Sequence, residues 1–285
     1  MPWPNPFGRD REGTRRNIAG YKVATILSFL LNLVFTVMYT LHAPTNGHKH
    51  RHWNHTIFGL RDHDYTAFSP SYVFITIYWI TLFILQIGYI WHLFSSNIEH
   101  VRCAAAVGSH FILFNLLQFA WVHLWTRSHW WISELMLIAN WVNLMALYFR
   151  HTTMPAFVHL PAVAMPLTWV EFALFWNGAV MVHCEGLACR ILANVGIWNF
   201  LVFAGIFVVI FNDYHVGFST AFLMAGLGVG QFFTKAFALQ WIFAFTIMAV
   251  VFLASLAAAV PGVFSRRDRS DAAADRERAP LLDDA

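Results

Sequence analysis

The chain has 285 residues, 58% hydrophobic and 12% charged, and carries a net charge of +3. A soluble domain of this length needs far more charged surface, so the composition excludes an ordinary water-soluble protein and points to a bilayer as solvent. Three cysteines make no disulfide framework, and no nucleic-acid partner is expected.

A hydrocarbon core about 30 Å thick takes roughly 20 helical residues to cross. Eight apolar stretches meet that length: residues 21–41, 72–94, 103–125, 130–149, 157–182, 188–211, 216–233 and 236–260. The expected fold is therefore an all-α membrane protein of eight transmembrane helices in contact with the lipid bilayer. The first 20 residues are polar and Arg-rich, and no small-residue cleavage pattern follows the first apolar run. That run is expected to stay as a helix rather than act as a signal peptide. Residues 1–20, with Pro2, Pro4 and Pro6, and residues 265–285, dense in Asp, Arg and Ala, read as disordered cytoplasmic ends. The first of these is suited to anionic headgroups.

Lys and Arg accumulate on the cytoplasmic side of short loops. Twelve of the 18 lie on the side of the two termini, which places both termini in the cytoplasm and loop 42–71 in a lumen. That loop carries Asn54-His55-Thr56, either a glycosylation acceptor or an unused tripeptide. Its His48, His50, His52, His55 and His63 surround Lys49 and Arg51. Alternating imidazoles can share a metal ion, yet the interleaved cations argue for a solvated, pH-responsive loop, and no metal site is expected. Cys184 and Cys189 share the short fifth loop, where a lumen would permit a bridge and two free thiols are the alternative. Cys103 reads as a small apolar residue. The tail sequence Glu277-Arg278-Ala279-Pro280-Leu281-Leu282 resembles the acidic dileucine signal that routes proteins to endosomes or the vacuole, so an endomembrane location is expected.

Polar residues inside the spans are the next signal. Span three holds His110, Asn115, Gln118 and His123 beside Trp121; later spans add Glu134, Asn140, Asn143, Glu171, Asn177, Asn194 and Asn199. Amides often bond helix to helix, whereas an ionisable group at bilayer depth suggests function. At 100° per residue Trp169, Phe172, Ala173 and Trp176 gather on one face of span five with Asn177 at its border. Glu171 points the other way, toward the last three helices, where Asn194 or Gln231 are its expected partners. Gly226 and Gly230 are spaced GxxxG, for packing within the chain or for a homodimer.

Several of these residues form a pattern. Span two has Pro70, Tyr72-Val73-Phe74 and Tyr78-Trp79; span three has Gln118-Phe119-Ala120-Trp121; span five has Trp169-Val170, Phe172-Ala173 and Asn177. Spans one to five, with these motifs, resemble the tryptophan-rich sensory protein or translocator protein family (TspO-like), a five-helix membrane fold. The resemblance implies a cavity roofed by the first loop that binds a porphyrin, a sterol or another flat apolar molecule. The matching positions are Tyr78, Trp79, Gln118, Trp121, Trp169 and Phe172, with Asn115 and Asn177 beside them. The chain departs from that family in having Ser69-Pro70 for a double proline, no Lys-Pro loop motif, Glu171 for a small residue, and three further helices. Over nearly its full length it also resembles a fungal family of multi-pass membrane proteins of unassigned function, through Tyr21-Lys22, Trp91-His92-Leu93-Phe94-Ser95-Ser96-Asn97 and Gln240-Trp241-Ile242-Phe243-Ala244-Phe245-Thr246.

The expected organisation is a five-helix core at 21–182, a three-helix extension at 183–264 and the two disordered ends. The expected function is binding of a small apolar ligand for sensing or transport, without catalysis. The alternatives are a membrane scaffold or assembly factor, and a proton-coupled transporter using Glu171. The spans lack the clustered histidines of a lipid hydroxylase, and a haem carrier would have to pair His110 with His159.

Overall fold

Each apolar stretch is helical over most of its described residues. The computed structural model describes residues 11–44, 54–59, 65–96, 101, 104–150, 155–182, 184, 186–234 and 239–278, and within them the regular structure is entirely helical. In chain order the long helices are α1 (Arg11–Leu41), α2 (Tyr72–His92), α3 (Gly108–Trp125), α4 (Trp130–Arg150), α5 (Ala156–Val182), α6 (Leu187–Ile210), α7 (Tyr214–Thr234) and α8 (Gln240–Arg278). Among the described residues seven helices, all but α3, are long and apolar enough to cross a membrane, so this is an integral membrane protein in contact with lipid. α3 has 18 residues, and its His110, Asn115, Gln118 and His123 make it too polar to be counted with the others. His48, His50, His52, His63, Cys103 and the Leu281-Leu282 pair lie outside the described residues.

Of the two ends expected to be disordered, residues 1–10 and 279–285 lie outside the described residues. The backbone is already helical from Arg11, and α8 runs on to Arg278. Ala272, Ala273 and Ala274 are strong helix formers, and the next strong breaker downstream of them is Pro280.

The bundle is built around α5 and α7, the two most buried helices. α5 packs on α2, α4 and α7, and α7 packs most extensively on α8. The outer helices turn Val23, Leu27, Val34, Ile77, Ile80 and Ile84 outward, as lipid-facing surfaces require. α5 widens to a π-helix at Leu160–Ala164, around Pro161. Side chains of α2 serve that stretch: Gln86 Nε2 donates to the Pro161 carbonyl at 3.3 Å, and the Tyr78 hydroxyl donates to that of Met165 at 2.7 Å. α6 is broken at Ile197 and Trp198 and ends in a second π-helix, Ile206–Ile210.

The described part of the first loop covers one end of the bundle. The Ile57 N–H donates to Tyr39 O, Trp125 Nε1 donates to Ile57 O, and the His55 N–H donates to Thr126 O, tying the loop to α1 and to the end of α3. Asn54 Nδ2 donates to Pro44 O at 2.7 Å.

The glycines of α7 are filled by the chain itself, which is the first of the two uses their spacing allowed; a homodimer through Gly226 and Gly230 is not supported. A Cβ on Gly226 would lie 2.8 Å from Phe74 Cβ, and one on Gly230 would lie 2.6 Å from the Pro70 and Ser71 backbone. The Ser71 N–H donates to Gly226 O at 2.9 Å, so α2 begins directly on α7. On the other side Gly228 admits the Phe245 ring of α8. Gly230→Ala should therefore cost about 1–3 kcal/mol through forced backbone displacement. Gly205→Ala, with nothing within 4 Å, should be neutral or slightly stabilising. Thermal melts in detergent check both, and equal melting temperatures for the two variants would refute the assignment.

Candidate functional site

The eight residues expected at a ligand site are brought together only in part. Trp169 is fully buried, with ring centroids 4.9 Å from Trp79, 5.9 Å from Trp121 and 6.2 Å from Phe172. Tyr78 packs on the same indole and bonds to Thr168 at 2.6 Å. These rings form a packed core in place of an open chamber. Asn115 lies elsewhere, accepting from Asn32 Nδ2 at 3.0 Å and donating to Phe111 O. Gln118 is fully buried with neither amide atom hydrogen-bonded, and Trp169 Nε1 is likewise without a partner.

The larger cavity sits beside this core, with a volume of about 570 Å³. Its walls come from the described end of the first loop, α4, the second half of α5 and the first half of α6, including Phe68, Glu134, Phe175, Gly178 and Leu192. Cys184 and Cys189 also line it, and they are bridged, which closes the alternative left open by their spacing. A second cavity of about 210 Å³ lies between α1, α2 and the first loop, and Trp79 is the one expected residue lining either cavity.

Glu134 supplies the carboxyl in the larger cavity. Asn177 holds it, donating from Nδ2 to Glu134 Oε2 at 2.8 Å and to Trp130 O at 3.0 Å. Asn177 Oδ1 in turn accepts from Ser133 Oγ at 2.7 Å and from Trp121 Nε1 at 3.3 Å. One amide thus joins the aromatic core to the cavity. A Cβ on Gly178 would lie 3.4 Å from Glu134 Oε1, so the missing side chain leaves the carboxylate its place. In the sequence Glu134 stands out only as one polar residue among several in the spans. Its depth was an available signal, because it stands just inside the start of α4 and Asn177 just inside the end of the antiparallel α5.

Glu171 does reach the extension, through a different residue from those expected. Its Oε1 accepts from Asn199 Nδ2 and its Oε2 from Trp141 Nε1, both at 2.6 Å. Gln231 instead donates to Thr66 O and Ser69 O, and Asn194 Oδ1 has no partner. His110 meets Asn143 and His159 meets Asp213, so the two histidines do not face each other as a haem pair.

Residues 190–282, from the first half of α6 through α8, match a family described as "Fungal protein of unknown function (DUF1774)". The chain is 40% identical over 132 residues to the uncharacterized protein C637.03 of Schizosaccharomyces pombe, a match taking in 45% of this chain and 48% of that protein. It thus spans about half the length of that relative. No solved structure matches the chain. These likenesses are to fungal proteins and bring no activity with them.

Both Glu171 oxygens accept N–H groups, so a substitution is judged by what it leaves unpaired. Glu171→Gln keeps one acceptor, and Asn199 can turn its own oxygen toward the new amide. Glu171→Leu strands both donors at roughly 1–3 kcal/mol each. The leucine variant should melt lower than the glutamine variant; the reverse order would show that the carboxyl is not held for these bonds.

Proposed function

We propose that the protein binds a small apolar molecule with one polar group in the cavity between α4, α5, α6 and the first loop, for sensing or transport and without catalysis. The observation that carries this reading is a cavity of about 570 Å³ with largely apolar walls and one fixed carboxyl, that of Glu134. Ligand sites of about 300–1,000 Å³ have this makeup, in which apolar walls supply affinity and a few polar groups set orientation. The motif resemblance to the translocator protein family supports the same class of ligand, a porphyrin or a sterol. The site proposed is next to the aromatic face that the resemblance implies, joined to it by Asn177. Glu171, with both oxygens held, sets helix register, so ligand binding ranks ahead of proton-coupled transport. The unpaired amide of Gln118 and the N–H of Trp169 are what the alternative reading rests on, in which the ligand's polar group sits inside the aromatic core instead of the cavity.

The topology proposed is eight crossings, α3 included, with both termini cytoplasmic. Supporting it, the Cys184–Cys189 bridge and the first loop line one cavity, and a bridge suits the lumenal side that the Lys and Arg count assigns to that loop. The dileucine-like tail supports an endosomal or vacuolar membrane.

Thermal-shift and tryptophan-fluorescence titration of the full-length protein in detergent, with a porphyrin and with a sterol, tests the ligand reading. Trp169→Ala is a poor probe because it empties a packed core at about 3–5 kcal/mol. Leu192→Trp, at an exposed wall position, and Gly178→Leu should instead weaken saturable binding at least about tenfold by narrowing the cavity. Gln118→Leu should leave that binding intact. Loss in Gln118→Leu with normal binding in Leu192→Trp would move the ligand into the core, and no binding of either probe would leave the scaffold reading. For topology, protease added to sealed microsomes should remove tags at both termini and spare a tag in loop 42–71; protection of one terminal tag alone would refute eight crossings, and protection of both would refute the cytoplasmic orientation.

A further inference from the structure

At the opposite end of α5 from the cavity, three metal-ligating side chains meet. His159 stands at the start of α5, Asp213 just before α7, and His215 in the first turn of α7. One ligand atom from each can be chosen so that all three lie within 4.8 Å of one another. His159 Nε2 is 2.7 Å from Asp213 Oδ2, and His215 Nδ1 is 3.7 Å from Asp213 Oδ1.

Several features of the backbone converge on this cluster. The π-helix Leu160–Ala164 begins immediately after His159, and the π-helix Ile206–Ile210 ends shortly before Asp213. Widened turns of this kind are frequent at functional sites. Asn212 takes a left-handed conformation, φ 54°, and the Asp213 N–H donates to Phe207 O at 2.9 Å, which closes the turn and sets Asp213 against α5. Asp213 Oδ1 then accepts the His215 and Val216 N–H groups, at 3.1 and 3.3 Å, and so caps α7. The carboxylate is fixed from both sides.

We propose that His159, Asp213 and His215 form a binding site for a divalent transition-metal ion of the zinc class, which clips the start of α5 to the start of α7. Two imidazoles and one carboxylate favour such an ion over Mg²⁺ or Ca²⁺, which prefer all-oxygen sites. Tetrahedral coordination at ordinary bond lengths separates neighbouring ligand atoms by about 3.3 Å. The observed N···O distances, 2.7 Å to Oδ2 and 3.7 Å to Oδ1, lie on either side of that value, and with all three ligand atoms within 4.8 Å of one another an ion would draw them together by about an ångström. Three protein ligands leave at least one position for water or another oxygen ligand. The side chains of His159 and His215 are 17% and 22% exposed, which gives an ion a path to the site. From α4 the Tyr148 hydroxyl faces the Asp213 carboxylate.

The test uses full-length detergent-purified protein stripped with a chelator and titrated with Zn²⁺ against a chromogenic competitor. Because the first loop carries its own histidines, the titration is repeated in a variant with His48, His50 and His52 changed to Gln. One equivalent of Zn²⁺ should bind in that background, raise the melting temperature, and be matched by an intense tetrahedral absorption band with Co²⁺. His159→Gln keeps an N–H donor for Asp213, and Asp213→Asn keeps the cap on α7, so both variants retain the local fold while losing a ligand. Each of them, and His215→Gln, should weaken Zn²⁺ binding by at least about tenfold. Zinc binding that vanishes with the loop histidines, that survives these three substitutions, or that Mg²⁺ reproduces would overturn the site.

Discussion

Inside a bilayer there is no water to satisfy a polar side chain, so each must find its partner on another part of the protein. That constraint acts most strongly on α5, the most buried helix. Thr168 bonds to Tyr78 of α2, Glu171 to Trp141 of α4 and Asn199 of α6, and Asn177 to Trp121 of α3 and to Ser133 and Glu134 of α4. His159 reaches Asp213 at the head of α7. Lipid tails are as apolar as leucine, so burial of apolar surface gives two membrane helices little preference for any one register. Bonds at four depths and several azimuths provide it. The rest of the bundle is positioned around a helix whose rotation and height are set by these contacts.

Close packing then exploits the positions so fixed. Bare backbone at Gly226 and Gly230 admits the beginning of α2, and Gly228 on the neighbouring face admits Phe245. Gln231 follows one turn later and satisfies the Thr66 and Ser69 carbonyls in the segment leading into α2. The extension and the five preceding helices are thus joined by hydrogen bonds and interdigitated rings, including Phe172 on Phe200. A boundary near residue 183 marks an order in the chain and does not separate two cores.

The helices were legible because crossing a bilayer demands a length and a composition that each stretch displays, and α3 was legible as the polar exception. The direction of Glu171 was legible from its angle to the tryptophan face. Its partner was not, because Asn199, which follows the break at Ile197 and Trp198, supplies the amide where Asn194 or Gln231 was expected. The cavity was hidden for a different reason. Helical periodicity distinguishes an inside from an outside, and most of α5 is buried on every side, Val170 and Glu171 as much as Trp169. Which of its faces meets a void depends on the last part of the first loop and the first half of α6. Separation hid the His159 cluster, because Asp213 stands 54 residues further along the chain.

The bridge between Cys184 and Cys189 is part of the wall that Leu192, Phe175 and the first loop complete. On the proposed topology the fifth loop faces a lumen, so this bond forms only after that loop has crossed the membrane. The cavity wall is then finished by oxidation after insertion, and on the proposed ligand reading a newly made molecule would complete its site only in the compartment where that bond can form.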